Sequence, residues 1–290
     1  MAISVTAFSP KVAESIFNAV KGHSTLARLS GRDPIAFTGN REMVFSLDKE
    51  VDIVAENGEK SAGGATITPV TIIPVKFEYG ARVSDEFMIA SEEDQLDILE
   101  RFNEGFARKI ARGFDIAAMH GLNPRTGLAS AVVGTNNFDS AVSQTVTFVA
   151  ASADANVEAA VALVEANDGD VNGMAMAPAM RSALAALTGT NGKLYPELSW
   201  GSNPGRLNGL NIDTNSTVAF GTNTTDVAIV GDFDAFRWGF AKDIAIDVIQ
   251  YGDPDNTGAD LKGHNQVYIR AEAYIGWAIL DANAFALIAS

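Results

Sequence analysis

The residues best suited to metal ligation or proton transfer are the three histidines, His23, His120 and His264. None stands at His-x-x-x-His or His-Glu-x-x-His spacing from another. They read as surface or capping groups, not as ligands. The chain has no cysteine. That removes disulfides, thiolate zinc sites, iron–sulfur clusters and cysteine nucleophiles, and it fits a reducing compartment. Gly192-Lys193 runs into Leu194, without the Ser or Thr with which a phosphate-binding loop holds magnesium. There is no Gly-x-Ser-x-Gly elbow and no Gly-x-Gly-x-x-Gly fingerprint. Asp253-Pro254-Asp255-Asn256-Thr257-Gly258 has the oxygen-rich start of a calcium loop, but His264 stands where the bidentate glutamate belongs. It reads as a polar turn. The expectation is a protein that is not an enzyme, with no cofactor and no metal.

Charge narrows the partners. Lys and Arg total 21 against 36 Asp and Glu, a formal net charge of −15 and a pI near 4.5. Gripping nucleic acid needs a basic face, so this balance argues against tight DNA binding. With 47% hydrophobic and 20% charged residues, neither wholesale disorder nor a fibrous repeat is expected. No stretch approaches the roughly 18 apolar residues of a membrane helix. Met1–Pro10 has neither a basic n-region nor a long apolar run. A soluble protein that stays inside the cell making it is expected, with no membrane partner.

The elements that would carry any function are unusual in length. Val12, Ile16, Phe17 and Val20 predict an amphipathic helix within 11–29, capped by Ser9 and Pro10. Residues 41–56 and 65–83 predict the arms of one long β-hairpin. Met43, Phe45 and Leu47 alternate in the first arm; Val75, Phe77, Tyr79, Ala81 and Val83 alternate in the second. The polar, glycine-rich stretch Asn57–Gly64 is its tip. At about 3.3 Å per residue such a hairpin reaches roughly 50 Å. It would project from the body, with Pro69 and Pro74 blunting its edge. A bare two-stranded ribbon is marginal in water, so other chains should cover it.

Ser91-Glu92-Glu93-Asp94 opens the strongest helix. Leu96, Leu99, Phe102, Phe106, Ile110 and Phe114 follow every three or four positions, and Gly121 and Pro124 stop the helix after His120. Further helices are predicted over Asn156–Ala166 and from Pro178 through Leu187. Strands are predicted at Val227–Val230, Phe236–Phe240, Ile244–Val248 and Val267–Ile275. Helices and strands are segregated, which argues for an α+β fold.

Several of these stretches together resemble the major capsid proteins of tailed double-stranded DNA phages, which share the Hong Kong phage-type fold. Val83-Ser84-Asp85-Glu86-Phe87-Met88 leaves the hairpin just before the long helix. Phe114-Asp115-Ile116-Ala117-Ala118-Met119-His120-Gly121, then Pro124-Arg125-Thr126-Gly127-Leu128, is similar to the family's helix end and Pro–Gly turn. Met176-Ala177-Pro178, Gly192-Lys193-Leu194, Ile229-Val230-Gly231-Asp232-Phe233, Asn265–Glu272 and Ala284-Phe285 resemble further shared blocks. Each is weak alone; their order and spacing carry the likeness.

The resemblance implies an N-terminal arm over 1–40, an extended β-hairpin loop over 41–82, and a peripheral domain from 83–125 and 244–290 with a long spine helix. An axial domain would occupy 126–243. It implies a structural protein whose copies form hexamers and pentamers. These would close an icosahedral shell around double-stranded DNA, without sequence-specific binding to it. Assembly is expected in the cytoplasm of a bacterial host, with a portal and possibly separate scaffolding or decoration proteins. A long cleaved scaffolding region, present in some relatives, is not expected ahead of the arm. In the founding member a hairpin lysine joins an asparagine of a neighbour, assisted by a glutamate. The matching positions are Lys60, Asn265 and Glu272. Asn and Glu there equally suit a strand and interface in relatives without cross-links, so no catalytic residue is assigned. An encapsulin-like nanocompartment shell enclosing cargo enzymes is the nearest alternative, and the long 41–82 segment favours the virion. A soluble enzyme would require a pocket of convergent polar groups.

Overall fold

The computed structural model describes residues 24–88, 92–221 and 225–290. The helix expected within 11–29 and the Ser91 cap fall largely or wholly outside the described residues. In chain order the helices are α1 (Thr25–Leu29), α2 (Glu92–His120), α3 (Phe138–Ala141), α4 (Ala153–Glu165) and α5 (Pro178–Ala186). The strands begin with β1 (Asn40–Leu47), β2 (Ala65–Ile72), β3 (Val75–Ser84), β4 (Thr145–Thr147), β5 (Gly173–Met176), β6 (Thr188–Gly189) and β7 (Gly192–Lys193). They continue with β8 (Arg206–Leu207), β9 (Leu210–Thr214), β10 (Asp226–Gly231), β11 (Phe236–Ile249), β12 (Gln266–Ile279) and β13 (Phe285–Ala289).

The hairpin is shorter than its alternation suggests. β1 and β2 pair antiparallel from Asn40 opposite Ile72 to Leu47 opposite Ala65, a ladder of about 26 Å. The second half of the expected arm is β3, which pairs instead with β12 in a three-stranded sheet ordered β11-β12-β3. Pro74 donates no N–H and breaks the ladder between β2 and β3. Beyond it, Val75, Phe77 and Val83 turn their apolar faces onto the main core. The period-two pattern was real; the sheet to which it belongs differs.

Helix α2 runs 29 residues, about 43 Å, as its periodicity requires. Phe106, Ile110, Phe114 and Ala117 bury one face in the main core, with Leu99 and Phe102 packed at its margin. Gly121 ends it at φ +64, the left-handed conformation that glycine adopts cheaply. A Cβ there would lie 2.5 Å from Asn137 Nδ2.

The six-stranded sheet has the order β4-β13-β10-β5-β9-β8. It is covered on both faces. Phe285, Leu287 and Ile229 point to the main core, while Ala286, Ile288, Ala228 and Val230 point to a second core with Ala160 and Val164 of α4 and Met180 and Leu184 of α5. Double burial explains why 227–230 reads as an unbroken apolar run. β13 lies in this sheet, between β10 and β4, whereas the sequence reading grouped all of 244–290 with the spine helix. Its alternation feeds both cores, so the only compatible place is inside a covered sheet. β11 is likewise one strand through Phe236–Ile249, irregular between Phe240 and Ala245, where two strands were expected. An aromatic cluster joins the two sheets: Phe114 stacks 5.2 Å from Trp238 and 5.7 Å from Trp277, and Phe138 lies 4.9 Å from Phe285.

Candidate assembly surfaces

The ribbon β1–β2 exposes a run of large apolar side chains. Register places Met43, Phe45 and Leu47 opposite Pro69, Ile67 and Ala65, so all six side chains share one face. Phe45 is 60% exposed, Leu47 69% and Ile67 61%. In the tip, Val51 and Ile53 are almost wholly exposed. The base, by contrast, is fixed. Ile72 is buried with Ile35 and Ala278. A Cβ on Gly276 would approach the Ile72 Cγ2 to 2.9 Å. One end is thus anchored and the other offers an unpaired apolar face, a combination typical of an interaction site.

The structure places Lys60 exposed in the connection between β1 and β2. Asn265 is exposed immediately before β12, at φ +53. Glu272 lies mid-strand in β12, where Lys76 Nζ reaches its carboxylate at 2.7 Å and Arg270 Nε at 3.3 Å. Hydrogen bonding to Glu272 raises the Lys76 ammonium above its usual range. Seven strand positions put Asn265 and Glu272 roughly 20 Å apart within one chain. Among the described residues, no hydrogen bond or ion pair joins any two of these three.

The 253–258 turn is organised by an internal cation. The Arg82 guanidinium, from β3, donates to Asp253 at 2.7 Å, to Asp255 Oδ2 at 2.9 Å and to Thr257 at 2.6 Å. Arg82 holds the Asp255 carboxyl well below the ordinary carboxylate range. The guanidinium thus takes up the side-chain oxygens of Asp253, Asp255 and Thr257.

Two buried polar clusters escaped sequence reasoning. Asp115, on α2, is fully buried and accepts from Ser24 Oγ at 2.7 Å, Thr25 N–H at 2.8 Å, Leu26 N–H at 3.3 Å and Thr217 Oγ1 at 3.0 Å. Burial pushes its carboxyl up to about 7, against the pull of those donors. Asp213, on β9, accepts from Thr25 Oγ1 at 2.7 Å and from Arg28 Nη1 at 2.5 Å. Together they fasten α1 to the body. The second cluster corrects the reading of His120 as a surface or capping group. Its side chain is buried, with Nδ1 at 2.9 Å from Asp139 Oδ2 and Nε2 at 2.9 Å from the Thr217 carbonyl. Asp226 faces the same ring, and burial beside Asp139 pushes its carboxyl up to about 7. Burial works to lower the His120 pKa, but the Asp139 carboxylate outweighs it and the net shift is upward. His264 is exposed as expected, and His23 lies outside the described residues. The partners stand 19 and 106 positions from His120, so no local spacing could have revealed them.

Open clefts among the described residues include two of about 700 and 560 Å³. The first runs along α4 past Asp154, Glu158, Glu165 and Tyr195; the second lies between β3 and α2 beside Lys76, Lys109 and Arg125. Neither is lined by a histidine. Among the described residues no helix is long and apolar enough to cross a membrane.

A family model described as the phage capsid family matches residues 7–290. The chain belongs to the phage capsid family. A solved structure from Mycobacterium phage Ogopogo is 34% identical, with 92% of each chain covered and a TM-score of 0.78. One from Gordonia phage Cozz is 26% identical, covering 91% of this chain and 85% of that one, with a TM-score of 0.74. The capsid of a native GTA particle shares the fold at 16% identity, with 93% and 91% coverage and a TM-score of 0.66. No curated protein matches. The protein is a major capsid shell protein of the virion, with the phage capsid fold that its segment order resembled. The encapsulin-like alternative gains no better support from these matches.

Proposed function

We propose that copies of this chain form hexamers and pentamers, and that these close an icosahedral shell around packaged double-stranded DNA. The observation that carries the proposal is the exposed apolar face of the β1–β2 ribbon, anchored at Ile72 and uncovered from Met43 to Leu47. A lone ribbon with Phe45 and Ile67 in water is unstable, and burial against an adjacent copy removes that surface. Point-group closure then repeats the same contact around each capsomer. Residues 1–40 serve as the arm, 41–82 as the extended loop, 83–125 and 244–290 as the peripheral domain, and 126–243 as the axial domain, with two exchanges: β3 adds its strand to the sheet of the peripheral domain and β13 adds its strand to the sheet of the axial domain. The register at Val75 and the place of β13 mark where these segments interlock.

The role is structural and not catalytic. The net charge of −15 suits a container that must not grip its contents, since attraction would slow packaging and release. Assembly takes place in the cytoplasm of the bacterial host, with a portal and any scaffolding or decoration protein supplied separately. Subunits are held without covalent links. Lys76 Nζ and Arg270 Nε lie against the Glu272 carboxylate, so it is engaged within its own chain and not with Lys60. Negative-stain microscopy of the expressed protein tests the assembly: shells, tubes or capsomers are expected, and a discrete monomer overturns the reading. A denaturing gel of particles should show the 30.5 kDa band alone; a ladder of multiples would establish cross-linking.

A further inference from the structure

We propose that His120, Asp139 and Asp226 form a binding site for one divalent transition ion of the manganese or zinc type, clamping the end of the spine helix to the six-stranded sheet. The three residues come from three elements: the last position of α2, the short helix α3, and the first position of β10. Their donor atoms all lie within 4.8 Å of one another, close to the span of two metal–ligand bonds of about 2.0–2.2 Å. One imidazole nitrogen with two carboxylates is a donor set that suits zinc and manganese better than calcium.

Two features beyond proximity point to an ion. The first is the orientation of the ring. The Thr217 carbonyl can only accept, so Nε2, 2.9 Å away, carries hydrogen as its donor. Nδ1 is thereby turned toward the carboxylates, at 2.9 and 3.1 Å from the two Asp139 oxygens. A ligating histidine is commonly held in this way, by a backbone carbonyl on its distal N–H. The second is Asp226. It is 7% exposed and faces the Asp139 carboxyl and the His120 ring. Among the described residues, no lysine or arginine forms an ion pair with it. The Asp226 and Asp139 carboxyl groups hydrogen-bond one another, so a dication would take the place of the proton they share and bond both. Asp139 keeps 28% of its side chain exposed, which gives an ion entry and leaves room for water ligands.

The full-length protein, stripped with a chelator, is titrated with manganese chloride and with zinc chloride by calorimetry, alongside thermal melts. Binding of one ion per subunit is expected, with a melting temperature that rises and saturates as sites fill. Asp139→Asn, at a part-exposed position, should weaken binding at least tenfold, as should Asp226→Asn. His264→Ala should bind as wild type does. Absence of saturable binding by either ion overturns the proposal. So does unchanged affinity in both aspartate variants, which would place the ion elsewhere. Because Asp139→Asn spares the core, a folding failure of Asp226→Asn leaves the test intact. Particle formation, imaged separately, judges the shell proposal independently.

Discussion

Asp115 accepts a hydrogen bond from Ser24 Oγ at 2.7 Å, across 91 positions of sequence. The same carboxyl takes the first two backbone N–H groups of α1, so it caps that helix from a distance. The N-terminal segment thus enters the body at a fixed point beneath the spine helix.

This anchor makes the protein's stability depend on pH in a defined direction. An unfolded aspartate titrates near 3.9, and burial pushes Asp115 up to about 7 in the fold. Its contribution is therefore complete below about pH 4 and is lost as pH rises through about 7. Asp115→Asn removes that titration and leaves the Ser24, Thr25, Leu26 and Thr217 donors short of acceptors, which costs about 1–3 kcal/mol. Thermal melts should show the gap between wild type and variant wider at pH 5 than at pH 8. A gap wider at pH 8 would refute the assignment.

The ribbon separates assembly from folding. Phe45→Asp adds charge to an exposed face, so the subunit's own melting point should change by no more than about 0.5 kcal/mol equivalent. Capsomer and shell formation should be lost, as read by sedimentation and microscopy. Ile72→Ala at the buried base does the opposite: it should cost the subunit about 2–5 kcal/mol. Equal assembly by Phe45→Asp and wild type would show that this face is not an interface.

Gly80 has a steric role. A Cβ there would lie 2.0 Å from the Tyr268 hydroxyl oxygen and 2.1 Å from its ring. Gly80→Ala should destabilise by about 1–3 kcal/mol. Because ring and hydroxyl both collide, Tyr268→Phe should not relieve the clash, whereas Tyr268→Ser should recover part of it. A double-mutant cycle by chemical denaturation measures the coupling.

Arg82 organises the 253–258 turn. Arg82→Ala strips Asp253, Asp255 and Thr257 of their common donor. Faster proteolysis within 251–264 is the expected outcome. Arg82→Lys should restore little, because a point charge cannot bridge three acceptors as a guanidinium fork does.

The spine helix was legible because its apolar residues repeat every three or four positions and Gly121 supplies a stop that local chemistry alone explains. The doubly buried β10 was legible for a similar reason, as a bounded apolar run. β3 was misplaced: alternation says that a strand has one dry face, but not which sheet supplies the covering layer. β13 was misplaced because five apolar residues can enter either of two cores, and only the packing of Phe285 against Phe138 and Phe233 decides between them. His120 defied reading altogether, since its partners lie on other elements.

From its residues alone this chain determined what depends on neighbours in sequence: helix period, strand period, turn chemistry, net charge and the order of segments that resembles a capsid. The tertiary structure alone decided what depends on distance through space. It brought Asp226 to His120, set Arg82 in an acidic turn, and left the ribbon's apolar face in solvent. Local conformation follows from the steric and hydrogen-bonding preferences of adjacent residues, whereas burial and charge pairing are properties of the closed chain.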